Sequence, residues 1–136
     1  MMSSKAAGND LPFSTDRPGS QQEAEQFCQA LTTTMGALLA IIKQETELVR
    51  AGNLIAAGSL QPDKARLIHE YTRGMLCARN HAVVLGNLAP VRVQALRRQH
   101  NDFQPILRLN LAVLSTAREV SSSVMEAASR ASEQVR

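Results

Sequence analysis

The segment PVRVQALRRQHNDFQPILRLNLAVLSTAREVSSSVMEAASRASEQVR, residues 90–136, decides the fold. Val93, Leu96, His100, Phe103, Leu107, Asn110, Leu114, Ala117, Ser121, Val124, Ala128, Ala131 and Val135 follow one another in steps of three and four. That spacing keeps a single stripe on one face of an α-helix, the seam of a coiled-coil type packing. Pro105 falls inside it, and a proline within a helix removes a hydrogen bond and crowds the preceding turn. The period passes through Pro105 in phase, so one bent helix is expected rather than two.

Two shorter helices precede it. Phe27, Leu31, Met35, Leu38, Ile42 and Val49 share a face of a helix expected from Gln21 to Ala51, and Gly52-Asn53 supplies its stop. Residues 51–61 read as a turn holding one short helical piece. Gln61-Pro62-Asp63 then starts a second helix, with proline at its first position and an acid in its first turn. Its stripe is Ile68, Tyr71, Met75, Ala78, Ala82 and Leu85. Gly86-Asn87 closes it, and Pro90 opens the third helix. Residues 1–20, with Ser, Gly, Asn, Asp and two prolines, read as a disordered leader.

Composition agrees with an all-α chain. Aromatics make up 3% of the 136 residues, and Trp is absent, so the core must be built from Leu, Ile, Val, Met and Ala. Alternating β-branched runs are missing. The expected architecture is an antiparallel helical hairpin or three-helix bundle over residues 21–136, with a long C-terminal helix projecting beyond it.

The projection follows from length. At 1.5 Å per residue the second helix spans roughly 36 Å, the first roughly 46 Å and the third roughly 70 Å. If each helix runs back along the one before it, cover for the third ends at about Thr116. Residues 118–136 then form a tail whose apolar stripe has no lid inside the molecule. Its residues are small, Ser121-Ser122-Ser123 are middling helix formers, and isolated helices of this size are marginal in water. The tail is therefore expected to fray alone and become ordered on a partner, with Val113, Ala117, Val120, Val124 and Ala128 as the partner-binding residues.

Charge is divided unevenly. Between Gln21 and Ala51, Glu23, Glu25, Glu45 and Glu47 outnumber Lys43 and Arg50; from Pro90 onward seven Arg face Asp102, Glu119, Glu126 and Glu133. Such segments are expected to meet each other or an acidic partner, and no basic nucleic-acid-binding arm is present. The longest apolar run, Met35 to Ile42, is far short of the roughly 20 residues a membrane span needs. With no apolar leader in the first twenty residues, a cytoplasmic protein is expected.

Candidate chemical groups are sparse. His69, Cys77 and His81 lie near one another on the second helix, but zinc wants three or four protein ligands and no carboxylate completes the set. His100 on the long seam lacks a Ser, Cys or carboxylate partner on its face, so a packing role is expected. Asn110 on the same seam is expected to fix register rather than touch a ligand. Arg92, Arg97, Arg98 and Arg108 have no Gly-rich cradle or interleaved aromatics, and read as a solvated face meeting the acidic first helix. Cys28 and Cys77 are expected to be reduced and partly buried. No cofactor, metal or catalytic residue is assigned, and no enzymatic activity is expected.

Three stretches carry a family resemblance. They are Glu45-Thr46-Glu47-Leu48-Val49-Arg50-Ala51-Gly52-Asn53-Leu54, then Leu60-Gln61-Pro62-Asp63-Lys64-Ala65-Arg66-Leu67 followed by Tyr71, then Leu96-Arg97-Arg98-Gln99-His100-Asn101-Asp102-Phe103 continuing through Asn110-Leu111-Ala112-Val113-Leu114-Ser115-Thr116-Ala117-Arg118. In order and spacing the chain resembles the FlgN-like flagellar export chaperones, over about Gln26 to Val124. The resemblance implies a cytoplasmic chaperone that keeps flagellar hook-associated proteins soluble and delivers them to the type III export apparatus, holding them with its C-terminal helix. The rival reading is a structural coiled-coil protein whose tail is covered by a second copy in a homodimer. A third, an Arg-lined helical enzyme, requires charge pointing into the bundle.

Overall fold

The computed structural model describes residues 16–135, with side chains described as far as residue 133. The leader expected over residues 1–20 lies outside the described residues up to residue 15; within the remainder Pro18 is buried. Five helices follow: α1 (Gln21–Arg50), α2 (Leu54–Ser59), α3 (Gln61–Asn80), α4 (Ala82–Leu88) and α5 (Pro90–Val135). Among the described residues there is no strand.

Local chemistry sets the boundaries. The Ser20 hydroxyl accepts from the Glu23 N–H, which satisfies one donor the helix start leaves open, and the Glu23 carboxylate reaches back to accept from the N–H of Gly19, just before the cap, at 2.7 Å. At the far end the Asn53 N–H donates to the Leu48 carbonyl and the Gly52 N–H to that of Val49, the paired bonds of a Schellman stop. Gly52 carries φ 78°, a conformation that costs any residue with a Cβ. The Asn53 side chain then accepts from the Ala56 N–H and caps α2, the short piece expected within the turn. Pro62 sits in the first turn of α3 and Asp63 beside it.

The second helix does not run unbroken to Leu85 as its periodicity suggested. It breaks at His81, whose backbone leaves helical geometry at φ −115° and ψ 26°, and α4 restarts at Ala82. Ala82 and Leu85 stay in step with the stripe across the break, which is why the apolar pattern conceals it.

Register comes from cross-helix bonds. Arg92 on α5 meets Gln29 on α1, Gln99 meets the Thr32 carbonyl, and Asn110 meets Glu45 and Thr46. Both numbers rise together, so α5 runs parallel to α1, while α3 runs antiparallel to both, with Lys64 on Glu45 and Tyr71 on His100. The long helix was expected to pack back along the second. Instead α1 is the central element, and α3 and α5 lie mainly against it. One core results, with Leu31, Met35, Leu38 and Ile42 of α1 packed with Leu67 and Cys77 of α3, Leu85 of α4, and Leu96 and Phe103 of α5. Each such side chain contributes about 1.5–3 kcal/mol when fully buried.

The buried face of α3 is also turned from the expected stripe. Leu67, Glu70, Gly74 and Cys77 are its buried residues, and Ile68 is 43% exposed. Tyr71, Met75 and Ala78 are half-buried and face a groove instead. No helix among the described residues is long and apolar enough to cross a membrane.

Candidate partner-binding surface

The pairing of Asn110 with Glu45 and Thr46 places the end of α1, at Arg50, opposite about residue 115 of α5. Beyond that level α5 has no helix beside it among the described residues. Val113, Leu114 and Ala117 are half-buried, and every residue from Arg118 to Glu133 is exposed. About twenty residues, roughly 30 Å of helix, stand clear of the bundle. Val120 is 58% exposed, Val124 62%, and Ala128 is exposed as well. With 100° per residue, Val113, Ala117, Val120, Val124 and Ala128 occupy an arc of about 80° that continues the buried face at Asn110. The expected site residues thus form one strip, rooted in the core and uncovered at its far end. The structure carries the helix through to Val135.

A polar node stands where the strip leaves the bundle. Asn110 is fully buried; its amide N–H groups point at Glu45 Oε1 (2.9 Å) and Thr46 Oγ1 (3.0 Å). Glu45, 2% exposed, also accepts from Lys64 Nζ at 2.7 Å and Gln61 Nε2 at 2.5 Å, both on α3. One carboxylate therefore ties α1, α3 and α5 together. Burial alone raises the carboxyl's pKa, but the bonds from Lys64, Asn110 and Gln61 and the Lys64 charge outweigh it and hold it below its ordinary value. Thr46 donates its own hydroxyl proton to the Ile42 carbonyl, leaving its oxygen free to accept from Asn110. Asn110 Oδ1 has no partner among the described residues, which is a cost in stability.

The remaining candidates fall into place around this frame. His100 is half-buried, hydrogen-bonded through Nδ1 to the Tyr71 hydroxyl and within 3.2 Å of the Gln104 amide nitrogen at Nε2. Tyr71 stacks between His100 and Phe103, with centroids 6.2 and 5.9 Å away, and burial pushes its pKa up to about 12. His100 is thus a packing residue. His69 is exposed, while Cys77 is buried and His81 marks the α3–α4 break; among the described residues no group of three or more His, Cys, Asp or Glu could hold a metal ion. Cys28 and Cys77 are free and buried. Desolvation raises both thiols; Arg92 partly offsets this at Cys28 while Glu25 adds to it, and Asp16 adds to it at Cys77.

The basic face does not meet the acids of α1 as charge balance suggested. Arg97, Arg98 and Arg108 are exposed and make no ion pair among the described residues, and Arg92 reaches the neutral Gln29. Glu45 takes its cation, Lys64, from α3, and Glu47 pairs with Arg50 of α1 itself. Sequence reasoning missed this node, although a signal was present: the α1 stripe skips the six residues between Ile42 and Val49, and the vacated core positions are Glu45 and Thr46.

No known protein-family model matches the chain, and no curated protein or solved structure matches it either.

Proposed function

We propose that the chain is a flagellar type III export chaperone that clasps an amphipathic C-terminal helix of a hook-associated protein along the projecting part of α5. The observation that supports a binding role is the strip itself: Val113, Ala117, Val120, Val124 and Ala128 continue the core face of α5 past its last neighbour. A partner helix laid on it buries apolar surface on both sides, which is the standard helix-on-helix mode of recognition. For the client, the same burial hides a face that otherwise drives premature assembly. The flagellar client class rests on the resemblance of residues 45–54, 60–71 and 96–118 to the FlgN-like chaperones. Action is by binding, without nucleotide, metal or covalent chemistry, in the cytoplasm where such clients are made.

The polar node supports the same reading. By fixing how α5 sits against α1 and α3, Asn110 and Glu45 set the direction in which the strip leaves the bundle. A chain ending after Arg118 should lose binding to the client's C-terminal helix, while its circular-dichroism melt stays nearly unchanged, because the described side chains beyond that residue, up to Glu133, are all exposed. Normal binding by the shortened chain would place the site elsewhere.

A second reading has its own support. Ala117, Ser121, Ala128 and Ala131 are small, and a small-residue seam at heptad spacing suits close approach of an identical helix. Sedimentation of the isolated protein separates the two: a tight dimer that persists at client concentrations favours self-pairing.

A further inference from the structure

The position of the strip relative to α1 restricts what can cover it. Gln29 meets Arg92, Thr32 meets Gln99, and Glu45 and Thr46 meet Asn110, pairs separated in sequence by 63, 67, 65 and 64 residues. The offset is nearly constant, so α1 and α5 keep one parallel register, and Asn110 marks the face of α5 that α1 fills. At 100° per residue the strip stays on that same face. It is the α1–α5 interface continued without α1. Gly52, with φ 78°, ends α1, and α2 then packs on α1 and α3 and not on α5.

The described residues begin at Asp16, which acts on the Cys77 thiol at the other end of the bundle. Tyr71 on His100 puts Cys77 opposite about residue 94, so Val124 lies roughly 45 Å further along α5. Residues 1–15 span at most about 54 Å, and reaching Val124 would leave almost none of them to lie along the strip. Charge restricts the occupant further. The described charges beyond Ala117, at Arg118, Glu119, Glu126, Arg130 and Glu133, all sit about 100° or more round the helix from it. Ion pairs beside a seam normally choose partner and direction, yet beyond Arg118 those flanks hold Val120, Met125, Ala127 and Ser132. Direction is left to the foot of the strip, where the C-terminal end of α1 presents the negative pole of its dipole. Arg50, the cation of that last turn, is paired with Glu47. A helix N-terminus is favoured there and a helix C-terminus is not.

We propose that the occupant is a helix of another protein that takes up the line of α1, parallel to α5 and with its N-terminal end against the end of α1. Its seam carries bulky apolar residues at steps of three and four, as α1 does with Leu31, Met35, Leu38 and Ile42, and it is chosen without ion pairs. This rests on the strip being the binding surface. A second copy of the chain cannot lie there in parallel, because its own α1 would fall in the space the first α1 fills; it fits only antiparallel. Direction therefore separates a foreign helix from self-pairing.

An amphipathic peptide long enough to span residues 113–131, with Leu and Ile on its seam and Glu and Lys on its outer face, reads the direction on the full chain. One version carries benzophenone at its first residue and another at its last. After irradiation, mass spectrometry should find the N-terminal label on residues 113–117 or on α2, and the C-terminal label beyond Val124. Val124→Asp should cut both yields by at least about tenfold without changing the helical circular dichroism. Raising salt from about 0.05 to about 0.5 M should change the yields less than about twofold. Labels exchanged between the two ends, or spread evenly, overturn the proposed direction and leave the strip as the site. Labelling elsewhere, or labelling that Val124→Asp does not touch, overturns the strip as well. A yield that falls several-fold with salt overturns choice without ion pairs. A yield per chain that falls as the protein is concentrated also overturns the proposal, because a second copy then holds the strip.

Discussion

Replacing Lys64 by Met tests whether the Glu45 node holds the three long helices in register. Glu45 is 2% exposed and its cation 13% exposed, and the two meet at 2.7 Å. Removing the cation strands a buried carboxylate, a change that generally costs about 3–5 kcal/mol. Gln61 and Asn110 still donate to Glu45, which puts the expected loss at the low end, about 3 kcal/mol. For a chain of this length that is a fall in Tm of roughly 10 °C. Glu45→Gln combined with Lys64→Met removes both charges and keeps the shape, so it should recover to within about 1 kcal/mol of the parent. Urea melts monitored by circular dichroism give all the values needed for a double-mutant cycle. The folded pKa of Glu45 lies below its unfolded value, so its contribution is complete above about pH 4.3 and is lost as pH falls through the folded value. Parent and Glu45→Gln should therefore differ most near neutrality and converge in acid. A loss under about 1 kcal/mol for Lys64→Met, or a gap to Glu45→Gln that widens in acid, refutes the reasoning.

Other outcomes follow from single features. Gly36 lies inside α1 with open space where a Cβ would go, so Gly36→Ala should stabilise the protein by roughly 0.5–1 kcal/mol in the same melts. Gly52→Ala also meets open space, but its φ of 78° makes it destabilising by about 1 kcal/mol or more. Val124→Asp should weaken client binding by at least about tenfold, measured by calorimetry, with a Tm shift of no more than a degree or two because the residue is 62% exposed.

Much of this fold can be read from particular residues. Gly52 and Asn53 announce the stop of α1, Pro62 and Asp63 the start of α3, and the unbroken period through Pro105 a single α5 that the structure carries as one helix. The reach of α5 past about Thr116 is simple arithmetic on helix lengths, and it survives although the packing order behind it does not. Which helix lies on which is less legible. The stripe on α3 is two-sided, with Leu67 and Cys77 in the core beside α1 and Tyr71 and Met75 facing the groove, and periodicity alone does not divide those faces. The break at His81 hides because Ala82 and Leu85 keep step across it. Lys64 as the partner of Glu45 depends on tertiary contact, and gross charge pointed instead to the arginines of α5. Within the candidate site, spacing identified the strip, but its exposure depends on where α1 ends.

Hydrogen exchange along α5 tests the central claim most directly. The isolated protein should exchange its amides from Arg118 onward within the shortest labelling times, since an unsupported helix of this length is marginal. Adding the amphipathic C-terminal helix of a flagellar hook-associated protein should then protect residues 113–133 while leaving the Glu45–Asn110 layer as it was. Exchange beyond Arg118 that stays equally fast at saturating client, with new protection appearing elsewhere or nowhere, would contradict the account.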